Sequence, residues 1–178
     1  MDYNLFIGID PGKDGGLVFQ SHDDIIVMKT PQVSNEIDIN TIIETFENII
    51  HNSSVKPICV LEDVHAIFGS SAKATFGFGE SLGIMKGILA GMKIPYVLVA
   101  PKKWQAKLFE GIREQRKPNK GAGGKGTLDT KPMALLAAKR LYPKIDLRGS
   151  ERSKNPHEGI VDALCISHYC KITYSYAV

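Results

Sequence analysis

The chain has 178 residues, 43% of them apolar and 23% charged, with a net charge of +3. That is enough for one compact soluble domain with a real core, and no apolar run nears the ~20 residues that span a bilayer. Three cysteines, Cys59, Cys165 and Cys170, have no metal-type spacing and lie in apolar patterns. They read as buried thiols in a reducing cytoplasm, which argues against a disulfide framework or a zinc site. A strand begins almost at the N-terminus, so no signal or transit peptide is expected.

The net charge conceals an asymmetry. Residues 101–154 carry fifteen Lys and Arg against five Asp and Glu, whereas the remaining residues carry seven against fourteen. One basic third within an otherwise acidic chain favours a polyanionic partner, nucleic acid above all.

Leu5-Phe6-Ile7-Gly8-Ile9-Asp10 is a short apolar run that ends in a carboxylate and is stopped by Pro11-Gly12. It reads as a buried strand with Asp10 at its mouth. Gly15 to Gln20 and Ile25 to Met28 follow as strands. Their connections are too short for crossovers, so the three are expected to form an antiparallel meander. Ile39, Ile42, Ile43, Phe46, Ile49 and Ile50 recur at helical spacing. Pro57 to Asp63 is a fourth strand that repeats the form of the first, with Glu62 at its end. Reached through a helix, it can run parallel to the first strand, which sets Asp10 and Glu62 side by side at the carboxyl edge of the sheet.

Val64 to Thr75 reads as a loop carrying His65, Phe68 and Lys73, and a helix is expected from about Phe76 to Met92. Gly79, Gly83, Gly87 and Gly91 share one face of that helix, which predicts a close backbone approach, with the sheet as the conservative partner. The opposite face, with Leu82, Met85 and Leu89, is left open for a dimer contact. Pro95 to Val99 is the fifth strand, and Pro101-Lys102-Lys103-Trp104 starts a short helix. About residues 113–131, with Arg113, Arg116, Lys117, Lys120, Lys125 and Lys131, a mobile basic loop is expected, since few apolar residues are available to fold it. It is not a phosphate-binding P-loop, because its glycines do not follow a strand. A helix from Lys131 to Tyr142, a basic connection from Pro143 to Lys154, and a last helix opening at Pro156 and running to about Tyr169 complete the chain.

Glu158 and Asp162 are four apart and so share a helix face, with Asp162 set among Ile160, Val161, Ala163, Leu164 and Ile166. An unpaired carboxylate there is expensive. Asp10, Glu62, Glu158 and Asp162 together would form a hard oxygen cluster suited to Mg²⁺, with Mn²⁺ able to substitute. Beside a basic block, that suggests phosphodiester hydrolysis with two metal ions, His157 orienting water or phosphate or else capping the helix.

These pieces, in this order, resemble a RuvC-type Holliday junction resolvase of the ribonuclease H-like superfamily, most like phage-encoded members. The matching stretches are Ile9-Asp10-Pro11-Gly12, Leu61-Glu62, the glycine-rich helix after it, Pro101 to Trp104, the Lys131-to-Pro143 helix and His157 to Leu164. They span nearly the whole chain, as one nuclease domain over residues 1–178. The resemblance implies an α/β fold with a five-stranded mixed sheet flanked by helices. It implies a homodimer that nicks four-way DNA junctions with Mg²⁺, in the cytoplasm of a cell or of a phage host. By position, Asp10, Glu62 and Asp162 match the catalytic acids. Many bacterial members carry Asp or His three residues before the final Asp, where this chain has Gly159; Glu158 is the substitute, with His157 behind it. Family members also insert an aromatic into the junction, for which Phe68 is the candidate, with Phe76 and Phe78 as rivals. The DNA contacts expected are Phe68, Lys73, Lys102, Lys103, Arg113, Arg116, Lys117, Lys120, Lys125 and Lys131.

Three alternatives compete. One keeps the fold and acts on branched, flap or RNA-containing duplexes. Another is the actin-like phosphate-binding fold, for which the chain is too short. The last is a non-catalytic DNA-binding module, which four carboxylates facing phosphates would weaken.

Overall fold

The computed structural model describes residues 3–51, 54–63, 71–118 and 126–175. Strands β1 (Leu5–Asp10), β2 (Gly16–Gln20) and β3 (Ile25–Lys29) form the expected antiparallel meander. A two-residue hairpin, β4 (Gln32–Val33) and β5 (Glu36–Ile37), then leads into α1 (Ile39–Ile49). The chain returns through β6 (Pro57–Glu62), α2 (Ala72–Gly91), β7 (Tyr96–Val99) and α3 (Pro101–Leu108). Two further helices close it, α4 (Thr130–Leu141) and α5 (Glu158–Tyr174). The five-stranded sheet has the order β3-β2-β1-β6-β7, with β6 parallel to β1 and β7 parallel to β6.

Alternation along the strands builds two cores. Leu5, Ile7 and Ile9 of β1 join Cys59 and Leu61 of β6 in the core beneath α1 and α2. Phe6, Ile58 and Val60 face the other way, into the core shared with α3, α4 and α5. By the same parity Asp10 and Glu62 fall on the α5 side of the sheet.

Helix α5 lies against the centre of that sheet because small residues let it. A Cβ added at Gly8 would stand 2.2 Å from the Ser167 nitrogen and 2.3 Å from the Ala163 carbonyl oxygen. One added at Gly159 would stand 2.3 Å from the Asp14 carbonyl oxygen and 2.4 Å from the Gly15 carbonyl carbon. Real Cβ contacts do not reach these distances, so strand and helix meet backbone to backbone. The Ser167 hydroxyl donates to the Phe6 carbonyl at 3.2 Å. Gln20 Nε2 donates to the Tyr142 hydroxyl at 2.8 Å, and that hydroxyl lies 2.5 Å from His168 Nδ1. This partly buried chain of polar groups ties β2, the end of α4 and α5 together.

Several elements depart from expectation. The glycine face of α2 does not approach the sheet: a Cβ at Gly79, Gly83, Gly87 or Gly91 would meet nothing within 4 Å. The side that packs carries Ser81, Met85, Ile88 and Leu89, so the bulky face, left open from the sequence for a dimer contact, is the core face. Apolar burial outweighs backbone proximity here, since Met85 and Leu89 together remove far more apolar surface from water than a glycine stripe can. Helix α2 also starts earlier than Phe76, because the Ser71 hydroxyl accepts the Ala74 N–H and caps it. The β4–β5 hairpin has no counterpart in the sequence reading. Its turn uses Ser34 and Asn35 at φ 50° and 63°, the double positive-φ geometry of a tight hairpin.

The expected basic loop is pinned at its base. Arg116 bridges Leu128 in antiparallel fashion, and backbone hydrogen bonds join Lys117 to Thr127 and Asp129 to Gln115. Among the described residues no helix is long and apolar enough to cross a membrane.

Candidate active site

The site is assembled by strand register. Ile9 pairs with Leu61 in the parallel β1–β6 ladder, so Asp10 and Glu62 leave the sheet as neighbours at its carboxyl edge. Glu62 in turn pairs with Val99 of β7. From the first turns of α5, Asp162 comes over the same edge, one residue before Ala163, whose carbonyl stands over Gly8. Asp10, Glu62 and Asp162 thus lie near enough for their charges to act on one another.

Their electrostatics follow from that crowding. Burial pushes the Asp10 carboxyl well above the usual range, and the charges of Glu62 and Asp162 push it further. Asp162 is raised to about 7, first by burial, then by Glu62 and Glu158, against an opposing pull from Lys131. Burial also raises Glu62, partly offset by the hydrogen bond its Oε1 accepts from the Trp104 indole at 2.8 Å. Like charges held this close ask for a cation.

The outer acid, Glu158, is differently placed. Its side chain is 65% exposed and pairs with the Lys131 ammonium at the start of α4. His157 is the N-cap of α5: Nδ1 accepts the Ile160 N–H at 3.4 Å, which is the capping alternative raised from the sequence. Gly159 has no room for a side chain of any kind, so no ligand side chain could stand at that position in this chain. Lys131, Pro132, Leu135, Pro156, Glu158, Val161 and Asp162 line a cavity of about 190 Å³ between the starts of α4 and α5.

All four carboxylates offer hard oxygen donors, a set that fits Mg²⁺ or Mn²⁺ better than a softer metal. Among the described residues no three His, Cys, Asp or Glu side chains are gathered tightly enough to hold an ion as they stand.

The basic residues divide into two groups. Lys73 on the first turn of α2, Lys102 and Lys103 on the first turn of α3, and Arg113 are exposed, with no ion pair to any described residue. Arg116 pairs with Glu114 at 2.7 Å, Lys117 with Asp129 at 3.8 Å, and Lys131 with Glu158. Such surface pairs are worth little, so a phosphate can displace them. Phe68, Lys120 and Lys125 lie outside the described residues. Of the rival aromatics, Phe76 is 72% exposed and Phe78 38% exposed. One contact of the acidic cluster was missed from the sequence. Trp104 was noted only as part of a motif, and nothing in its local pattern tells that its indole reaches Glu62.

Among solved structures, the fold is matched by Thermus thermophilus RuvC in complex with a Holliday junction substrate, at a TM-score of 0.53 and 15% identity, over 96% of each chain. The fold is that of the RuvC-type resolvases. A second Thermus thermophilus RuvC structure matches at a TM-score of 0.52 and 15% identity, over 95% of each chain. The yeast mitochondrial Holliday junction resolvase Ydc2 matches at 0.53 and 13% identity, over 94% of this chain and 78% of the other. No protein-family model matches the sequence, and no curated protein matches it.

Proposed function

We propose that this chain is a metal-dependent endonuclease that resolves four-way DNA junctions by paired phosphodiester hydrolysis. The observation that carries the reading is the convergence of Asp10, Glu62 and Asp162 on the α5 side of the carboxyl edge of a RuvC-type sheet. Asp10, Glu62 and Asp162 would hold Mg²⁺, or Mn²⁺ in its place, two ions to a site, with Glu158 as the outermost ligand. When bound, the ions lower the pKa of the attacking water and stabilise the leaving oxygen. The chain's own residues do the rest. Strands β1 and β6 fix two carboxylates on a rigid edge, and α5 brings the third. Lys131 at the rim can leave Glu158 for a phosphate oxygen. Exposed Lys102, Lys103, Lys73 and Arg113 give the backbone contacts that position a duplex arm without reading its sequence. Phe68 remains the candidate to stack on an unpaired base, with its rivals Phe76 and Phe78 exposed on α2.

A homodimer supplies the second active site that paired nicking requires. The open glycine face of α2 is the surface we assign to it; its Gly87 and Gly91 end, with Ile39 and Ile43 of α1 and Ile84, lines a groove of about 500 Å³. Buried free thiols at Cys59, Cys165 and Cys170 fit a cytoplasmic setting.

The test is cleavage of a mobile four-way junction, a fixed flap and an RNA–DNA hybrid with Mg²⁺, each with an EDTA control. Selective, symmetric nicking of the junction is expected. Equal rates on all three would replace junction resolution with a less selective nuclease. Cleavage that survives EDTA would overturn the metal site.

A further inference from the structure

Trp104 is the only tryptophan in the chain and is 1% exposed. Its indole nitrogen donates to Glu62 Oε1 at 2.8 Å, in a bond buried on both sides. An indole has one donor and no acceptor, so it can neither relay a proton nor ligate a metal. What it can do is hold an oxygen still. The ring is itself held. It meets Phe109 edge to face at a centroid distance of 5.9 Å and packs in the core with Val60, Val99, Leu108 and Ala137. It is placed by Pro101, which opens α3 two residues after Val99, the register partner of Glu62. Strand, turn and helix therefore fix the donor relative to the acceptor. Buried tryptophans usually find some partner for the N–H, and a backbone carbonyl would satisfy the packing equally well. Here the partner is a carboxylate of the acidic cluster.

We infer that Trp104 is a positioning residue: by pinning Oε1 of Glu62, it locks the carboxylate in one orientation and leaves Oε2 as the oxygen presented to the metal. This rests on the metal-nuclease reading of the cluster, and it adds a residue that touches neither metal nor substrate. Partners of this kind commonly hold about 10- to 100-fold in metal affinity or activity.

A single tryptophan makes the contact directly visible, because a ¹⁵N–¹H correlation spectrum carries one indole cross-peak. Glu62→Gln is expected to move that peak upfield as the carboxylate acceptor is lost, and Mg²⁺ is expected to shift it saturably in the unmutated protein. Trp104→Phe keeps most of the packing and removes the donor. It is expected to weaken Mn²⁺ binding, read by calorimetry, about 10- to 100-fold. It should also lower kcat on a junction while leaving KM unchanged, a split that a general loss of packing would not produce. An indole peak indifferent to Glu62→Gln overturns the inference, and this reading stands even if Trp104→Phe fails to fold. Mn²⁺ affinity in Trp104→Phe within about two-fold of the unmutated chain overturns it as well. If the unmutated chain binds neither ion, this inference and the metal reading fall together. Metal binding without loss in Trp104→Phe defeats this inference alone.

Discussion

Helices α2 and α5 are the two longest in the chain, both are sprinkled with small residues, and they use them in opposite ways. In α5, Gly159, Ala163 and Ser167 are where the helix backbone meets the backbone of β1 and of the turn after it. The result is a helix buried along most of its length that delivers Asp162 to the sheet edge. In α2 the glycines at 79, 83, 87 and 91 face open space, and burial is left to Met85, Ile88 and Leu89 on the other side. The same residue type thus marks a structural seam in one helix and an unfilled surface in the other. The difference is set by what lies opposite: Gly8 has no side chain to keep α5 away, whereas no described residue comes within 4 Å of a Cβ added at the α2 glycines.

Substitutions on the two helices should therefore separate sharply. The largest effect is expected at the Asp162 end of α5. Asp162→Asn, like Glu62→Gln on the facing strand, should lower single-turnover cleavage about 10³-fold or more while a gel-shift assay shows junction binding retained or tightened. Retained cleavage would mean that α5 carries no catalytic acid.

Next comes the seam. Gly8→Ala sets a Cβ 2.2 Å from the Ser167 nitrogen, where no flexible side chain can yield. A loss of about 3 kcal/mol or more is expected in denaturant unfolding. Near-normal stability would show that α5 is not seated as described.

Asp162 also links α5 to pH. Its carboxyl titrates at about 7 in the fold and near 4 when unfolded, so the folded chain binds the extra proton between those values. Stability of the metal-free protein should therefore fall as pH rises through that window, by about 1–3 kcal/mol, and Asp162→Asn should remove most of the slope. Mg²⁺ should also flatten it, since the ion binds the ionised form.

The smallest effect is on α2. Gly83→Ala should raise stability by about 0.5–1 kcal/mol, because helix propensity improves and the space is open. Sedimentation of the same variant sharpens the contrast. Weakened self-association would mark the glycine face as the one a second copy covers.

Much of this was legible from local pattern. Apolar runs ending in Asp10 and Glu62, joined through a helix, were enough to place two carboxylates side by side. The short links of the meander allowed only antiparallel pairing. Helical spacing put Glu158 and Asp162 on one face, although the fold then set them apart, half-burying one and pairing the other, exposed, with Lys131. What stayed hidden depended on distant partners. Whether a glycine is a contact or a gap cannot be read from its own helix, and α2 was misjudged for that reason. The Ser34-Asn35 turn lacks the glycine that usually advertises a tight hairpin. Trp104 looked like part of a motif, and only the β6–β7 register reveals why it is there.

The seating of α5 on β1 has a consequence in time. The bond from the Ser167 hydroxyl to the Phe6 carbonyl closes a loop of 161 residues, so the first strand waits for the last helix to cover it. Contacts of such sequence separation are made late and slowly, after the local meander and the β1–α1–β6 unit. A ribosome releasing this chain from its N-terminus would expose Asp10 and Glu62 long before Asp162 exists. The acidic cluster is therefore completed only with the final helix, and a nascent or truncated chain that lacks it carries a sheet edge with two carboxylates and no third.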